Sequence, residues 1–341
     1  MPASLLAAAE SGSASTLDTI ATPTLWLVTV AAVVGFLAVD FVLTRRPHEV
    51  SMKEAVGWSA FYIALPLAFG VFILGQYGSQ RGLEYYTGYL VEKSLSVDNL
   101  FVFILLLAGF AVPRELRQRV LLYGIVGALV MRAIFIALGA AALSAFDWVF
   151  LVFGLVLVAT AVKILRDALG GDNHDVDVAT LRSVRLLRRF VPVTDDYEGP
   201  RMTTRVAGRR ALTPLAVVVV AVLATDLVFA IDSVPAVYGI TGDPYLVFVT
   251  NAFALLGLRA LYFVLEGVLA KLVHLGFGLA AILAFIGVKL ALHWGHLQWE
   301  SVPEIPTLTS LIVVVGILVL TTITSLIATR DRSEERRSVE A

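Results

Sequence analysis

The chain has 341 residues, 58% of them hydrophobic, and a formal net charge of −1. No ordinary soluble domain is this apolar, so most of the chain is expected to lie in a lipid bilayer, and the charge balance indicates no nucleic-acid partner. The chain has no cysteine and only four methionines. Disulfides and thiolate metal sites are therefore excluded, and a soft-metal thioether site is disfavoured.

Nine apolar segments are long enough to cross a membrane as helices. These predicted spans are residues 23–44, 56–75, 85–108, 118–139, 145–166, 212–233, 244–264, 275–293 and 307–328. They predict an all-α polytopic membrane protein with a transmembrane domain over residues 23–328. Residues 1–10 lack the basic start of a signal peptide, so we expect the first span to be retained. Residues 1–22 are predicted to form an extracytoplasmic tail. The charged residues 329–341 predict a disordered cytoplasmic tail.

Lysine and arginine are concentrated in every second loop. They follow spans 1, 3, 5, 7 and 9, whereas the intervening loops hold only Arg81. Because basic loops stay in the cytoplasm, the pattern predicts an extracytoplasmic N-terminus and a cytoplasmic C-terminus.

The longest loop, residues 167–211, is the only sizeable segment outside the predicted spans. Apolar residues recur at helical spacing beside its arginines over 181–191, which indicates a short helix on the membrane surface. Residues 191–211 are rich in Thr, Gly and Pro and favour a small hairpin. The alternative is a connecting loop whose arginines reflect only the general enrichment of cytoplasmic loops in basic residues.

Two predicted spans contain acidic segments. They are Glu92-Lys-Ser-Leu-Ser-Val-Asp98-Asn99 in span 3 and Asp226-Leu-Val-Phe-Ala-Ile-Asp232-Ser233 in span 6. A carboxylate at mid-bilayer depth costs roughly 2.5–3.5 kcal/mol on insertion scales. Four such residues in one repeated pattern predict a cation-binding site, with structural ion pairs as the alternative.

The spacing within each segment leaves two geometries open. Six residues of α-helix turn through about 600°, so the two carboxylates of a segment do not share one face. Either one carboxylate faces the other segment while its partner faces a neighbouring helix, or the helices break. Breaks near residues 96–99 and before Pro235 would free backbone carbonyls as ligands.

The two acidic segments open two units that resemble each other. When Asp98 is aligned with Asp232, Arg132-Ala-Ile-Phe in span 4 matches Arg259-Ala-Leu-Tyr in span 7. Span 5 then matches span 8 through Phe-Gly-Leu and Val-Lys pairs. Because each unit has three spans, residues 85–166 and 212–293 are predicted to form an inverted repeat, with the substrate site where the units meet.

The candidate ligands are all hard oxygen donors, namely Glu92, Asp98, Asn99, Asp226, Asp232 and Ser233. Such oxygens suit Mn²⁺, Mg²⁺ or Ca²⁺ rather than Cu⁺ or Zn²⁺, and neither acidic segment contains a histidine. Oxygen ligands alone do not separate manganese from the other two cations.

Basic residues within the spans have two interpretations. They are Lys93, Arg132, Lys163, Arg259 and Lys289. They either neutralise the carboxylates by buried pairing and snorkel to the membrane faces, or hold the carboxylates when the cation is absent and release them when it binds.

Asp40 and Asn251 are weaker candidates for the same charge-pairing or gating role. Asp40 lies near the end of span 1, where an interfacial position explains it. Asn251 in span 7 could cap, pack or coordinate.

The segments resemble the TerC family of integral membrane proteins. The resemblance rests on Gly88 to Phe103, on Asp226-Leu-Val-Phe-Ala-Ile-Asp232-Ser-Val-Pro235-Ala and on Asn251-Ala-Phe-Ala-Leu-Leu-Gly-Leu-Arg259-Ala, and covers residues 25 to 328. It implies a manganese exporter or related metal-ion transporter of the bacterial inner (plasma) membrane, linked to tellurium resistance. Where some relatives have an acidic residue three positions before the first carboxylate of span 6, this chain has Leu223.

Two functions of different class follow. The first is a secondary transporter that exports a divalent cation, with Mn²⁺ as the first candidate. No Gly-x-x-x-x-Gly-Lys nucleotide motif is present, so direct use of ATP is not expected and proton antiport is the predicted coupling. The second is a non-transporting assembly factor or subunit of a tellurium- or stress-resistance complex. No enzymatic activity, cofactor or nucleic-acid partner is expected. The expected partners are the bilayer and the metal ion.

Overall fold

The computed structural model describes residues 19–43, 51–170, 193–194, 197, 199–206, 209–265, 274–299 and 301–340. It confirms the prediction of an all-α polytopic membrane protein. Seven helices are long and apolar enough to cross a membrane, and a bent pair of helices makes eight. This count takes the helical stretch Met52–Gly109 as one span.

The stretch Met52–Gly109 is two antiparallel helices. Gly78 interrupts it with φ +86° and ψ 174°, a backbone conformation that favours glycine. The Tyr85 hydroxyl donates to the carbonyl of Pro66 at 2.9 Å. A straight helix would separate these residues by about 28 Å, so the chain turns back on itself at Gly78. We name the two helices α2 (52–77) and α3 (79–109).

The remaining helices complete the membrane domain. They are α1 (Pro23–Leu43), α4 (Arg114–Ala145), α5 (Trp148–Gly170), α6 (Pro214–Tyr238), α7a (Pro244–Leu256), α7b (Leu258–Leu265), α8 (Leu275–Gln298) and α9 (Thr307–Glu340). Helices α7a and α7b form one span bent by 40°. In the described part of the chain, α1 to α9 therefore follow the nine predicted spans in order.

The predicted helix breaks are wrong. Helix α3 is continuous through residues 96–99, and α6 continues past Pro235 to Tyr238. Pro235 lies in the last turn of α6, where its missing N–H leaves only one carbonyl without its helical donor. The break occurs instead at Gly257 in span 7.

The predicted disorder of residues 329–341 also differs from the structure, because α9 continues to Glu340. Its last residues are mostly Arg, Glu and Ser, and the first two favour helix once the preceding span supplies the nucleus.

The predicted hairpin in the long loop is confirmed. Strands β1 (Thr203–Val206) and β2 (Arg209–Leu212) pair antiparallel, with Val206 opposite Arg209. Tyr197 fixes the loop to the end of α3 by donating to the carbonyl of Phe110 at 2.8 Å. Burial raises the pKa of Tyr197 to about 12, so this phenol stays protonated and able to donate. The predicted surface helix over 181–191 lies outside the described residues.

The connections between helices gather at two ends. At the arginine-poor end, Thr19 and Ile20 before α1 bind Asp243 before α7a, both at 2.8 Å. At the same end, a cavity of about 520 Å³ is lined by residues from the α2–α3, α6–α7a and α8–α9 connections. The hairpin and the α3–α4 connection lie at the opposite, arginine-rich end. The alternation expected from the charges of the loops is thus present in the fold.

Helices α5 and α8 pack closely through two glycines. A methyl group added at Gly154 would lie 2.7 Å from the carbonyl oxygen of Gly287, and one at Gly287 would lie 2.8 Å from that of Gly154. Each glycine therefore allows the backbone of the other helix to approach.

Contacts of the site helices come in matching pairs. Helix α4 packs on α6, and α3 packs on α7a. In the predicted repeat, Gly88 corresponds to Val222 and Gly124 to Asn251. A methyl at Gly124 would lie 2.7 Å from Val222, whereas one at Gly88 would lie 3.3 Å from Val237 and 3.5 Å from Thr250, next to Asn251. The helix pairs match as an inverted repeat predicts, but these glycine contacts match only approximately.

We expect Gly154→Ala to lower the free energy of unfolding by about 1–3 kcal/mol, because the added methyl overlaps a backbone oxygen. Gly35→Ala is the matched control, since no atom lies within 4 Å of its added methyl. Thermal unfolding in detergent measures both. Equal melting temperatures for the two variants would contradict close α5–α8 packing.

The repeat predicts that α3–α5 superpose on α6–α8 after a rotation of about 180° about an axis in the membrane plane. Arg132 should then fall on Arg259 and Asp98 on Asp232. An experimental structure in which these pairs occupy unrelated depths would end the repeat hypothesis.

Candidate functional site

The Arg132 guanidinium is the centre of the candidate site. Arg132 lies in α4, is fully buried, and contacts three other helices. Its Nη1 pairs with Glu92 of α3 and donates to Asn251 Oδ1 of α7a at 2.8 Å. Its Nη2 lies 3.4 Å from Asp226 Oδ1 of α6. One arginine thus binds both first carboxylates of the two acidic segments.

Two amides complete the shell around this arginine. With its amide oxygen turned toward Arg132, Asn99 accepts from Nη2 at 3.1 Å and donates to the carbonyl of Leu95 at 3.0 Å. Asn251 donates its own amide to the carbonyl of Val247 at 3.0 Å, which fixes its oxygen toward Arg132. Both predicted amide candidates therefore lie at the site.

Helical periodicity explains which residues reach the site. Glu92, Ser96 and Asn99 are spaced by four and three residues and lie on one face of α3. Asp226 and Ser233 are seven residues apart on α6 and also share a face. All five residues are buried.

Several oxygens at the site have no hydrogen-bond donor among the described residues. They are Glu92 Oε2, Ser96 Oγ, Asp226 Oδ2 and Ser233 Oγ, all buried. Buried polar atoms without partners are uncommon and costly in native proteins. Among the described side chains of the site, two carboxylates face one guanidinium, so the formal charge is −1 when both carboxylates are ionised. The site can thus accept further positive charge.

The second carboxylates of the two segments take different places. The Asp98 side chain lies outside the described part of the structure. Asp232 is half-buried on a face of α6 where Val228 and Ile231 are exposed. The six-residue spacing places Asp232 off the face that carries Asp226. Within the described residues, no three His, Cys, Asp or Glu side chains form a group that could hold a metal.

Arg259 belongs to a different cluster. Its Nη2 lies 2.8 Å from Asp40 Oδ1 of α1, and its Nη1 lies 3.5 Å from Gln118 Oε1 of α4. Tyr62 of α2 donates to the same Asp40 oxygen at 3.0 Å. Asp40 lies near the end of α1, as the sequence predicts, but its side chain is only 1% exposed. Its charge is tolerated there because a guanidinium and a phenol bind it.

The three lysines have three different environments. Lys93 donates to the Ala254 carbonyl at 3.4 Å, beside the bend of α7 at Gly257. Lys163 is exposed on α5, as snorkelling predicts. Lys289 is only 9% exposed and lines the cavity at the arginine-poor end, so it does not extend along the protein surface.

This cavity has a polar lining. Glu84 accepts from Gln80 at 3.0 Å, and from Arg81 and Thr241 at 2.9 Å. His293 Nδ1 lies 2.7 Å from Glu304 Oε1. The polar residues that were not predicted from the sequence are Gln80, Glu84, Thr241, His293, Tyr62 and Gln118. Their signal in the sequence is a polar residue inside or beside an apolar span.

Comparison with known proteins gives consistent relatives. A family model described as integral membrane protein TerC family matches residues 77–333. An uncharacterized membrane protein of Myxococcus xanthus is 40% identical over 316 residues, which cover 92% of this chain and 96% of the relative. An uncharacterized membrane protein of Mycobacterium tuberculosis H37Rv is 42% identical over 321 residues, or 91% and 80% of the two chains.

A further relative is named Alx, a proposed membrane-bound redox modulator of Escherichia coli K12. It is 39% identical over 315 residues, which cover 89% of this chain and 95% of the relative. No solved structure matches the chain.

We expect Arg132→Met to reduce accumulation in the membrane or to cost about 3–5 kcal/mol of stability, because it leaves two buried carboxylates without a counter-ion. Neutralising both acids as well, in a triple variant with Glu92→Gln and Asp226→Asn, should restore much of the loss. Protein levels and thermal unfolding measure both variants. A stable Arg132→Met protein would show that the arginine is not the required counter-ion.

Proposed function

Because the chain belongs to the TerC family of integral membrane proteins, we propose that it is a secondary transporter that exports a divalent cation, Mn²⁺ first, by proton antiport. The observation that supports this proposal best is the pair formed by Glu92 and Asp226. The two carboxylates come from separate acidic segments, are fully buried and share one arginine. Each retains an oxygen that no described donor binds.

The chemistry of the donors fits a hard cation. The unbound oxygens belong to two carboxylates and two hydroxyls, the ligand types that Mn²⁺, Mg²⁺ and Ca²⁺ prefer. Asn99 and Asn251 add amide oxygens that now face Arg132. Asp98 and Asp232 are proposed to join when the cation binds.

Charge balance determines what Arg132 does during binding. The carboxylates of Glu92 and Asp226 carry two negative charges, and Arg132 neutralises one of them. A divalent cation placed beside the guanidinium would leave one excess positive charge in a low-dielectric site. Arg132 therefore leaves the carboxylates when the cation arrives and returns only when they are again ionised, after the exchanged protons have left. The Arg132 guanidinium and the cation thus occupy the site in turn and bind the same carboxylates and amide oxygens.

Proton antiport follows from the same carboxylates. Export of a cation against an inside-negative potential costs roughly 2.3 kcal/mol per charge per 100 mV. Two carboxylates that exchange one divalent cation for two protons would move no net charge. This exchange would remove the cost of the potential.

The proposed orientation places the arginine-rich end in the cytoplasm of a bacterial cell. The loops at that end contain nearly all of the lysine and arginine outside the helices. The N-terminus and the cavity lined by Lys289 then face outward, in the inner (plasma) membrane.

The alternative is a non-transporting assembly or stress-resistance subunit. One observation favours it, namely that Arg132 already binds both carboxylates, as a structural ion pair would. The redox role in the name of one relative would here need a chemistry other than thiol exchange, because this chain has no cysteine.

We expect Glu92→Gln and Asp226→Asn each to lower Mn²⁺ transport into inside-out membrane vesicles at least tenfold. A neutral amide offers a hard cation a weaker ligand than a carboxylate does. Asp98→Asn and Asp232→Asn should abolish protection of cells against excess manganese, with protein levels near normal.

Asp147→Asn is the matched control, because Asp147 is an exposed carboxylate in the α4–α5 connection. Vesicles that transport Mn²⁺ normally with Glu92→Gln and Asp226→Asn would remove the basis of the export proposal. Variants that fail to accumulate would favour the structural ion pair.

A further inference from the structure

The Arg259 cluster lies on the arginine-rich side of the carboxylates. Gln118 is near the start of α4, and Arg132 follows it 14 residues later on the same helix. This separation is about 21 Å along the helix axis. Asp40 lies three residues before the arginine-rich end of α1. The cluster is therefore placed between the carboxylate site and the end proposed to face the cytoplasm.

The cluster joins four helices by polar contacts. Asp40 of α1 binds Arg259 of α7b and Tyr62 of α2, and Arg259 reaches Gln118 of α4. All four side chains are buried. Apolar residues fill the same half of the molecule, among them Leu100, Phe103, Leu106, Leu107 and Val120. In the described structure, this apolar packing and the Arg259–Asp40 ion pair lie between the carboxylate site and the arginine-rich end.

The opposite half contains a cavity that approaches the site. Tyr238 lines the cavity of about 520 Å³, and its hydroxyl donates to the carbonyl of Ile136 at 2.7 Å. Ile136 follows Arg132 by one turn of α4, which is about 6 Å. The carboxylate site is thus separated from the cavity by a short barrier, and from the arginine-rich end by the Arg259 cluster.

The predicted repeat relates the two arginines. Arg259 corresponds to Arg132, and the helix pairs α4–α6 and α3–α7a match in the repeat, but the charge partners of the two arginines do not. Arg132 binds carboxylates of the repeat units, whereas Arg259 is bound by Asp40 of α1, which lies outside both units. The partner of Arg259 is therefore supplied by a helix that the repeat does not contain.

We propose that Asp40, Tyr62, Gln118 and Arg259 form the cytoplasmic gate of the transport path, and that the structure represents the state closed to the cytoplasm. The proposal rests on the proposed transport function. In the opposite state the Asp40–Arg259 contact opens, a path leads from the cytoplasm to Glu92 and Asp226, and the outer cavity closes. Asp40 is a positioning residue in this mechanism, since it holds Arg259 and touches no transported ion.

The absence of cysteine from the natural chain permits a direct test, since a single introduced thiol is the only one present. Ser96→Cys reports on the cytoplasmic side of Glu92, one turn further along α3. Ile240→Cys reports on the outer cavity, which Ile240 lines. The measurement is the reaction rate of each thiol with a small cationic methanethiosulfonate, in vesicles of known orientation.

With Asp40→Asn, we expect the rate at Ser96→Cys from the cytoplasmic face to rise at least tenfold, and the rate at Ile240→Cys from the outer face to fall. Tyr62→Phe keeps the ion pair and removes one hydrogen bond, so its changes should be smaller and in the same directions. If Asp40→Asn does not accumulate in the membrane, Tyr62→Phe is the variant that tests the gate. Glu115→Gln, an exposed carboxylate at the start of α4, is the matched control and should change neither rate.

Unchanged rates at both positions in the gate variants would overturn the gate. A rise at Ser96→Cys without a fall at Ile240→Cys would also overturn it, because local loosening predicts that result. The readout needs no Mn²⁺ transport. If the two rates change in opposite directions but the protein does not transport Mn²⁺ in the same vesicles, the gate is supported and the export proposal is refuted.

Discussion

The buried guanidinium of Arg132 is the interaction on which the centre of the molecule depends. It lets two carboxylates from two separate helices lie side by side in a region that would otherwise exclude both. Removing one partner of such a buried pair strands the other charge, which typically costs several kcal/mol. Arg132 thereby fixes the relative positions of α3, α4, α6 and α7a. The geometry of any cation site at Glu92 and Asp226 is set by these four helices.

Small residues make this arrangement possible. Membrane helices gain little from apolar burial against each other, because the lipid is equally apolar, so close packing and polar contacts hold them together. Gly154 and Gly287 bring α5 and α8 into backbone contact, while Gly88 and Gly124 leave room for side chains of the neighbouring site helices. The large, lipid-exposed apolar side chains of α1 and α9 lie outside this packed centre.

The two buried arginines divide the polar contacts between two clusters. The Arg132 cluster has excess oxygens and an excess negative charge, whereas Arg259 has Asp40, Tyr62 and Gln118 as partners. A site that exchanges a cation needs oxygens without donors and a negative charge, as in the Arg132 cluster. A gate needs a contact that forms in one state and breaks in another, which is the role proposed for the Asp40–Arg259 ion pair.

The sequence by itself determined the class of the protein, the order of its spans and the identity of the charged residues at its centre. Length and apolarity set the spans, and the rarity of charge in hydrocarbon made Glu92, Asp226, Arg132 and Arg259 conspicuous. Only the tertiary structure decided which arginine binds which carboxylate. Helical periodicity fixes the face of a residue but not the helix that it meets, so the burial of Asp40 against Arg259 could not be predicted from spacing. The bend at Gly257, in place of one at Pro235, depends likewise on the neighbours that pack around it.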